Sequence, residues 1–380
     1  MSVRVLHLHS TFSLGGKEAR AVRLMNAFGA SAEHVVLSAV PGALGARDAI
    51  DRGMAVRFPG SDEAPSLAGR PGLARYRQLA RYMTGFDLVL SYNWGSMDGV
   101  MAHRLHARGM GLPPLVHHED GFNADELARQ KRSRILFRRL ALGSAYRTVV
   151  PSARLERIAR IDWGRPAARI RRIPNGVPLE RYAGQPEPDA IPGFRRASGD
   201  VVVGTMAGLR AVKNLPRLVR MFARSGQGGR LVIVGEGPER DAVLAAARAE
   251  GVADRLLLPG FLPDAARYVG HFDIFALSSD SEQFPISLVE AMAAGLPVVA
   301  TEVGDVASMV APGNRRYIVP PEDEPGLAEA LGRLVASRDL RHRLGSANRQ
   351  IAWGRYGEAA MIGAYRTLYE EAMGRPGALS

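Results

Sequence analysis

The sequence predicts an α/β fold built from two Rossmann-like, doubly wound halves in tandem. Short apolar runs of strand length alternate with helix-period segments along most of the chain, which is the pattern of parallel sheets covered by helices on both faces. The chain has 380 residues, more than one hydrophobic core usually serves. A stretch rich in Pro, Gly and charge divides the alternating pattern into two parts.

Apolar runs in the first half predict buried strands. Helix-period segments separate them, such as the one that places Ala21, Leu24 and Phe28 on one face and ends at Gly29. The strand-like runs of the first half are residues 3–8, 35–40, 88–92, 115–118 and 148–151.

The stretch from 175 to 200 has no sustained periodicity and is predicted to be an interdomain linker. We expect a first domain over 1–182, onto which a C-terminal helical stretch over 357–380 packs back, and a second domain over 183–356. The strand-like runs of the second half are residues 201–206, 231–234, 256–258, 274–277, 298–301 and 317–319.

Composition narrows the classes of function. With 46% hydrophobic and 23% charged residues, the chain has an ordinary globular composition. The absence of cysteine excludes disulfides, thiolate metal sites and a cysteine nucleophile. The net charge of +12 favours an acidic partner, which could be nucleic acid, an anionic membrane or a phosphorylated small molecule.

The opening residues, MSVRVLHLHSTFSLGGKE, have the pattern of a strand and a loop rather than of a secretory signal. No apolar run in the sequence reaches the roughly 18 residues that span a bilayer. We therefore expect a cytoplasmic protein, with at most a peripheral contact at the inner face of the plasma membrane.

The loops after the predicted strands are where ligands should bind, because open α/β sheets bind them beyond the carboxyl ends of their strands. In TFSLGGKEAR, Gly15 and Gly16 allow close approach of the backbone to a ligand, and the helix start near Lys17 favours an anion. A tight turn with packing glycines is the alternative. In AGLRAVKN, Arg210 and Lys213 could neutralise a diphosphate, or they could belong to a solvated loop.

The segment SEQFPISLVEAMAAGLPVVAT places two acids around a predicted helix start. Glu282 precedes the helix, Pro285 fits its first turn, Glu290 lies further in and Gly295 ends it. A helix start attracts phosphate, and a carboxylate close to it could accept two vicinal hydroxyls such as those of a ribose.

Taken together, these motifs resemble those of the family 4 glycosyltransferases, which are retaining nucleotide-sugar transferases with the GT-B fold. SEQFPISLVEAMAAGLPVVAT is similar to the E-x7-E signature of that family, and AGLRAVKN to its Arg/Lys loop. IRRIPNGVPLERY and LVIVGEGPER are similar to two further family segments. The resemblance implies two Rossmann-like domains that face each other across a cleft.

The resemblance also implies roles for individual residues. Glu290 would hold the ribose of the donor nucleotide, Glu282 would contact the donor sugar, and Arg210 and Lys213 would bind the diphosphate. Gly15 and Gly16 would approach the diphosphate from the other domain. The donor would further contact the helix start and the segment near the base through Phe284, Pro285, Ile286 and Leu262.

The family's histidine in the first half falls in PPLVHHEDGFNADE, which offers His117, His118 and Asp120. We favour His118 as a catalytic residue, beside Glu282, Arg210 and Lys213, and a plain structural histidine is the alternative. Asp120 is then assigned to the acceptor side.

Further acceptor-side candidates lie in SYNWGSMDG. They are Asn93, Trp94 and Asp98, and Trp94 could stack on a sugar or serve in packing. The sequence has no Asp-x-Asp pair and no other spacing typical of a metal site. We therefore expect metal-independent chemistry, with a nucleoside diphosphate sugar as co-substrate and no other cofactor.

The segment ARQKRSRILFRRLAL mixes arginines with apolar residues. On a helix it could lie on an anionic membrane leaflet, or it could be a helix with a solvated basic face. Its cations are Arg129, Lys131, Arg132, Arg134, Arg138 and Arg139, beside Ile135, Leu136, Phe137 and Leu140.

We expect a transferase that moves a hexose from a UDP- or GDP-sugar to a glycan or a lipid-linked saccharide. Retention of anomeric configuration is implied by the resemblance alone. A nucleotide-sugar epimerase or hydrolase of the same fold is the first alternative. A basic nucleic-acid-binding protein is the second, although the sequence lacks an aromatic and basic reader motif.

Overall fold

The computed structural model describes residues 2–70, 72–122, 126, 130–226 and 229–380. The chain forms two compact units. Unit 1 comprises the residues up to Asn175 together with Ala360–Ser380, and unit 2 comprises Gly176–Ala359. The sequence-based domain boundaries at 182/183 and 356/357 stay predictions of where independently folding domains end.

Unit 1 is built around a parallel sheet that has, within the described residues, seven strands in the order β3-β2-β1-β4-β5-β6-β7. The strands are β1 (Val3–His9), β2 (Ala32–Ser38), β3 (Val56–Arg57), β4 (Leu88–Tyr92), β5 (Leu115–His118), β6 (Arg147–Val150) and β7 (Ile170–Arg172). The helices of this part of the chain are α1 (Gly16–Phe28), α2 (Leu73–Met83), α3 (Met97–Met110), α4 (Arg132–Ala141) and α5 (Ala153–Ile161).

Unit 2 repeats this architecture with a parallel sheet of six strands in its described part, in the order β10-β9-β8-β11-β12-β13. The strands are β8 (Val202–Met206), β9 (Arg230–Val234), β10 (Leu256–Gly260), β11 (Ile274–Leu277), β12 (Val298–Thr301) and β13 (Ile318–Val319). The helices are α6 (Leu215–Arg224), α7 (Arg240–Ala249), α8 (Ile286–Ala293), α9 (Val306–Met309), α10 (Glu324–Ala336) and α11 (Arg338–Arg355). The last helix of the chain is α12 (Glu358–Met373).

The central strands form because their side chains are apolar on both faces. β4, β8 and β12 are buried along their whole length, as expected of parallel strands that helices cover on both sides. In unit 1, one such cover comes from α12, where Tyr365 and Tyr369 pack in the same cluster as Phe28 of α1. The C-terminal stretch predicted to be helical over 357–380 is helical over Glu358–Met373, and from Ala360 onward it belongs to unit 1.

The prediction that residues 175–200 form an interdomain linker is wrong, because part of this segment packs into the core of unit 2. This segment contributes buried apolar side chains to the core of unit 2, together with residues of α8 and of the sheet. Its Pro and Gly residues interrupt periodicity without preventing packing, because irregular backbone can still place single apolar side chains inward. The buried residues are Val177, Leu179, Tyr182, Ile191 and Phe194.

No helix in the described part of the chain combines the length and the apolar composition needed to cross a bilayer.

Candidate active site

Several of the predicted site residues lie in loops at the points where the strand order of a sheet reverses. In unit 1 the reversal is between β1 and β4, and in unit 2 it is between β8 and β11. Loops that follow such strands diverge and leave a crevice at the carboxyl edge of the sheet. Gly15 and Asn93 follow β1 and β4 in unit 1, and Lys213 and Glu282 follow β8 and β11 in unit 2.

The loop after β8, which carries Arg210, is fixed by the loop after β9. The Leu209 amide donates to the carbonyl of Glu236 at 2.8 Å. Gly235 and Gly237 have φ values of +144° and +153°, and a Cβ on either would lie 1.9 or 2.4 Å from a carbonyl oxygen of the first loop. The GEG sequence is therefore required for this backbone contact, and it sets the position of Arg210, whose side chain is exposed.

Lys213 and Glu282 meet at the centre of the unit 2 site. The Lys213 ammonium lies 2.5 Å from Glu282 Oε1, and 25% of the lysine and 10% of the glutamate side chain are exposed. The Ser279 hydroxyl donates to the same carboxylate oxygen at 2.7 Å. The lysine and glutamate thus form a partly buried ion pair, and Ser279, which the sequence motifs did not indicate, orients its acidic member.

The backbone carbonyl of Glu282 packs directly on Gly304. Gly304 has a φ of +57°, and a Cβ on it would lie 2.4 Å from this carbonyl oxygen. The residue therefore has to be glycine for both conformational and steric reasons. Since Gly304 follows β12, it couples the position of Glu282 to the next strand of the sheet.

Helix α8 begins at Ile286, and Pro285 is its N-cap residue rather than part of its first turn, which corrects the prediction. Pro285 has no side chain that can cap the helix, and the first turn contains no acid. The first amide groups of α8 therefore have no capping side chain, which favours an anion at this helix start. Gly295, with a φ of +82°, follows the end of α8 as predicted.

Glu290 lies inside α8 and is half-buried. Its Oε1 accepts a hydrogen bond of 3.1 Å from the hydroxyl of Tyr182. The pKa of Tyr268 is raised, mainly by burial and to a lesser degree by the negative charges of Glu290 and Asp264. Two tyrosines thus neighbour this carboxylate, and Tyr182 belongs to the segment that sequence inspection assigned to a linker.

The remaining predicted donor contacts in unit 2 are apolar. Phe284 packs edge-on against Tyr356, with ring centroids 5.5 Å apart. Ile286 and Leu262 are partly buried against the unit 2 core. The neighbouring Phe261, at the end of β10, is instead 58% exposed.

The glycine loop of unit 1 differs from its prediction in one respect. Gly15 is the N-cap of α1, and the helix begins at Gly16. The buried carboxylate of Glu18 lies in the first turn and pairs with Lys17. A Cβ on Gly15 would lie 3.0 Å from this carboxylate, so the start of α1 already carries an acid and is less favourable to a phosphate than the bare motif suggests.

A hydrogen bond joins the side chain of Asn93 to the backbone of Asp120. Asn93 has an unusual conformation, with φ 55° and ψ −171°, and its side-chain oxygen accepts a 2.8 Å hydrogen bond from the Asp120 amide. The Asp120 carboxylate forms a two-pronged ion pair with buried Arg20, whose guanidinium also donates to Asn175 at 3.0 Å. That pair lowers the pKa of Asp120 against the opposing effect of burial. Asp120 therefore links the loop after β5 to helix α1 through Arg20 and to the loop after β4 through Asn93.

Trp94 is engaged by protein groups, which does not support stacking on a sugar. The guanidinium carbons of Arg134 and Arg138 each lie 4.9 Å from its ring centroid, and Phe137 meets the ring edge-on. Nearby Asp98 pairs with Arg75 at 2.5 Å. These contacts favour the packing alternative for Trp94.

His118 lies in the core of unit 1, which argues against the predicted catalytic role. Its Nδ1 donates to the Ser91 carbonyl at 3.1 Å, and its Nε2 therefore accepts from the Tyr369 hydroxyl at 2.8 Å. Burial lowers the pKa of His118 to about 3. A neutral histidine with both nitrogens occupied cannot exchange a proton with a ligand unless this core opens.

The arginines of the basic segment ARQKRSRILFRRLAL include buried and exposed side chains. Arg138 is fully buried and pairs with Glu119 at 3.2 Å and with Glu126 at 3.6 Å. Arg132 and Arg139 are exposed on α4, where Leu136 and Leu140 are 58% and 57% exposed. Arg129 lies outside the described residues. Arg138 is thus a structural residue, whereas the exposed side of α4 keeps a basic and apolar character.

Within the part of the chain that the structure describes, no three His, Asp or Glu side chains are grouped so that they could hold a metal ion.

Two protein-family models match the chain, and both describe glycosyltransferases. The model described as "Glycosyl transferase 4-like domain" matches residues 15–176. The model described as "Glycosyl transferases group 1" matches residues 188–351. The chain belongs to the family 4 glycosyltransferases.

Two curated proteins illustrate the relatives of this family 4 glycosyltransferase. N-acetyl-alpha-D-glucosaminyl L-malate synthase of Bacillus anthracis is 26% identical over 170 residues, which are 44% of this chain and 45% of that relative. GDP-mannose:cellobiosyl-diphosphopolyprenol alpha-mannosyltransferase of Komagataeibacter xylinus is 27% identical over 395 residues, covering 98% of this chain and 94% of that relative. The match thus spans less than half of the first relative and nearly all of the second.

Among solved structures, HepE of Anabaena in complex with UDP is similar to this family 4 glycosyltransferase. The TM-score is 0.78 at 19% sequence identity, and the match covers 97% of this chain and 100% of that chain. The likeness shows that the fold is GT-B, with two parallel-sheet α/β domains. The predicted family and fold class are confirmed, whereas the roles of individual site residues stay predictions.

Proposed function

We propose that this family 4 glycosyltransferase moves a hexose from a nucleoside diphosphate sugar to a glycan or a lipid-linked saccharide. The observation that carries the proposal is the Lys213–Glu282 ion pair at the strand-order reversal of unit 2. Its acidic member, Glu282, lies in the loop that precedes α8, whose start has no side-chain cap and whose interior carries Glu290. This arrangement offers cations and amides to a diphosphate and carboxylates to sugar hydroxyls.

In the proposed mechanism, the unit 2 site stabilises the departing diphosphate. Negative charge grows on the leaving oxygen as the glycosidic bond breaks, and Arg210, Lys213 and the first amides of α8 supply positive potential for it. A diphosphate that reaches Lys213 weakens the pairing of this lysine with Glu282. Ser279 then holds Glu282 Oε1, so that Oε2 can accept a hydroxyl of the donor sugar.

The proposal includes retention of anomeric configuration and independence of a metal ion. The cationic groups and the helix start could neutralise the diphosphate in the way that a divalent ion does in other enzymes. A departing diphosphate oxygen can assist the acceptor hydroxyl, so that the bond to the acceptor forms on the face from which the nucleotide leaves. Analysis of the anomeric configuration of the product by NMR tests the first point, and activity in excess EDTA tests the second.

The proposed donors are UDP- and GDP-sugars, and the proposed acceptor class includes lipid-linked saccharides. The names of similar proteins support both parts, since the K. xylinus relative is named for GDP-mannose and a cellobiosyl-diphosphopolyprenol, and the HepE structure contains UDP. The half-buried Glu290 would receive the ribose, which both nucleotides share.

The deciding experiment measures transfer of labelled sugar from a panel of UDP- and GDP-sugars to acceptors in a membrane extract. Wild-type protein should transfer label from one donor, and Lys213→Ala should lower the rate by roughly 10²–10³-fold. Glu324→Gln is the matched control, because Glu324 also pairs with a cation, Arg220, at 2.6 Å but outside these loops. No transfer by wild type, or equal rates in wild type and Lys213→Ala, would contradict the proposal.

We also propose that the protein is cytoplasmic and meets the inner face of the plasma membrane through α4. Arg132 and Arg139 are exposed on this helix together with Leu136 and Leu140, and α4 contains no acid. Arginine attracts anionic headgroups while leucine enters the interface. Sedimentation with vesicles should show binding to phosphatidylglycerol and not to phosphatidylcholine, and Leu136→Ser with Leu140→Ser should weaken it. Equal binding to both vesicle types would contradict this contact.

A further inference from the structure

Unit 1 contains a pocket of about 290 Å³ that the proposed function has not used. It lies at the carboxyl ends of β2 and β3, where Ser38 ends β2 and Phe58 follows β3. This is the edge of an open α/β sheet at which ligands bind. Its volume equals that of roughly ten water molecules in the liquid, so it can hold a group of similar size.

The lining of the pocket contains no charged residue, although 23% of the chain is charged. All the lining residues lie in the described part of the chain. Apolar walls come from Leu37, Leu44 and Phe58, and hydroxyl groups are supplied by serines such as Ser61. Such a lining has no counter-charge for a phosphate or a sugar acid. The pocket therefore selects a neutral and mainly apolar group.

The pocket is preformed by rigid turns. Pro41, Pro59 and Pro65 line it, and each proline ring fixes its own φ angle. Between the last two, the Ala64 amide donates to the carbonyl of Gly60 at 3.1 Å. An apolar group would thus bind with little further loss of conformational entropy in the lining residues, because folding has already ordered them.

One wall of the pocket also supports the glycine loop of unit 1. The Phe12 amide donates to the carbonyl of Ala43 at 2.8 Å, and the Ala46 amide donates to the carbonyl of Phe12 at 2.9 Å. The Phe12 ring lies 5.6 Å from the ring of Phe58, which lines the pocket. Because Gly15 follows three residues after Phe12, the pocket adjoins the loop at the strand-order reversal of unit 1.

We propose that this pocket binds the hydrocarbon group attached to the acceptor saccharide. The inference rests on the proposed function, since it assigns the acceptor to the carboxyl edge of the unit 1 sheet. The pocket makes the enzyme selective for acceptors that carry a neutral alkyl or isoprenoid chain next to the sugar. It contributes to binding of the acceptor and takes no part in binding of the nucleotide.

The test compares n-octyl glucoside, below its critical micelle concentration, with methyl glucoside by calorimetric titration. These probes share a sugar and differ only in the hydrocarbon. Wild-type protein should bind the octyl compound at least tenfold more tightly. Ala64→Phe, which fills the pocket from a partly buried lining residue, should remove this difference without lowering the unfolding temperature. Ser61→Phe, at an exposed lining position, serves the same purpose if Ala64→Phe does not fold.

Equal affinity for the two glucosides in wild type, or an octyl preference that survives in the folded filled variants, would overturn the inference. UDP and GDP are titrated into the same samples. If wild-type protein binds nucleotide but shows no octyl selectivity, or if the octyl preference survives in a filled variant that still binds nucleotide, the pocket assignment alone is refuted. Absence of nucleotide binding with intact octyl selectivity would refute the transferase proposal and leave an apolar ligand site.

Discussion

Glu290 depends on a neighbouring hydroxyl for its orientation. Tyr182 is buried in the unit 2 core, and its hydroxyl donates to Glu290 at 3.1 Å. This hydrogen bond fixes one oxygen of the carboxylate that we propose to bind the ribose. Tyr182 is a positioning residue in this account, because it acts on the donor through Glu290.

Tyr182→Phe removes this hydrogen bond without changing the shape of the core. We expect nucleotide affinity to fall by roughly 5–10-fold, which corresponds to about 1 kcal/mol, whereas kcat at saturating donor stays within about twofold. Calorimetry and steady-state kinetics measure the two effects. Tyr76→Phe is the matched control, since Tyr76 also donates to a carboxylate, Asp98, at 3.3 Å in unit 1. The same loss in both variants would count against a specific role for Tyr182.

Gly304 controls the position of Glu282. In Gly304→Ala the new methyl group would meet the Glu282 carbonyl at 2.4 Å, so the loop must move. A displacement near 1 Å at a reacting group costs roughly 10²-fold in rate, and we expect a fall in kcat of this order. Gly251→Ala controls for backbone strain, because Gly251 has a similar φ of +67° and open space around it. Wild-type kcat in Gly304→Ala would contradict the coupling.

Individual site residues could be predicted from the sequence where they belong to a ligand-binding motif. Lys213 and Glu282 could be predicted from their segments, and the structure brings them together. Gly304 and Ser279 were missed because their effect arises from contacts with Glu282 across loops, and one sequence carries no record of such contacts. His118 was assigned a catalytic role by resemblance, and only the tertiary structure shows that both its ring nitrogens are used inside the core.

Among the elements, α4 shows how one helix can contain arginines with opposite roles. Arg138 faces inward, where Trp94, Phe122 and Trp163 surround its guanidinium at 4.9–5.6 Å. Arg132 lies on the exposed side of the same helix. The sequence of this segment alone could not distinguish the buried Arg138 from its exposed neighbours.

Replacing Arg138 should unfold unit 1 far more readily than replacing an exposed arginine. Arg138→Met leaves the buried carboxylate of Glu119 without its arginine, which costs about 3–5 kcal/mol, whereas Glu126 keeps its ion pair with Arg134 at 2.8 Å. Arg132→Met should change the free energy of unfolding by less than about 0.5 kcal/mol. Urea unfolding followed by circular dichroism measures both. Equal stability of the two variants would refute the structural role of Arg138.

Strands could be predicted where burial on both sides leaves a continuous apolar run. β4, β5, β11 and β12 agree with their predicted limits. β3 and β7 were missed, because β3 has two residues and β7, with sequence IRR, exposes both arginines. Short strands at the edges of a sheet carry little apolar pattern, since one side lacks a neighbouring strand. Their pairing depends on the strand beside them.

At the scale of the whole molecule, unit 1 has a core that should respond to acid. His7, His9, His34 and His118 are buried. Burial is the largest cause that lowers the pKa of each, to about 4 for His34 and about 3 for His118. The folded chain therefore keeps these rings neutral at pH values where an unfolded histidine, with a pKa near 6.5, is protonated.

The free energy of unfolding should be highest above about pH 6.5 and should fall as the pH decreases from there towards about 4. In this window the unfolded state binds more protons, and each such histidine contributes a slope of up to about 1.4 kcal/mol per pH unit. Urea titrations at several pH values measure the slope. His34→Gln should reduce it, and His342→Gln, on the exposed surface of α11, controls for the substitution. A slope that is the same in wild type and His34→Gln would contradict this interpretation.

The central claim is that unit 2 binds the nucleotide of a sugar donor through the loops after β8 and β11 and through α8. Calorimetric titration of UDP and GDP into wild type and Glu290→Ala tests it most directly. The account predicts saturable binding of one of the nucleotides to wild type, and at least tenfold weaker binding to Glu290→Ala at an unchanged unfolding temperature. No binding of either nucleotide to wild type, or the same affinity in the variant, would contradict it.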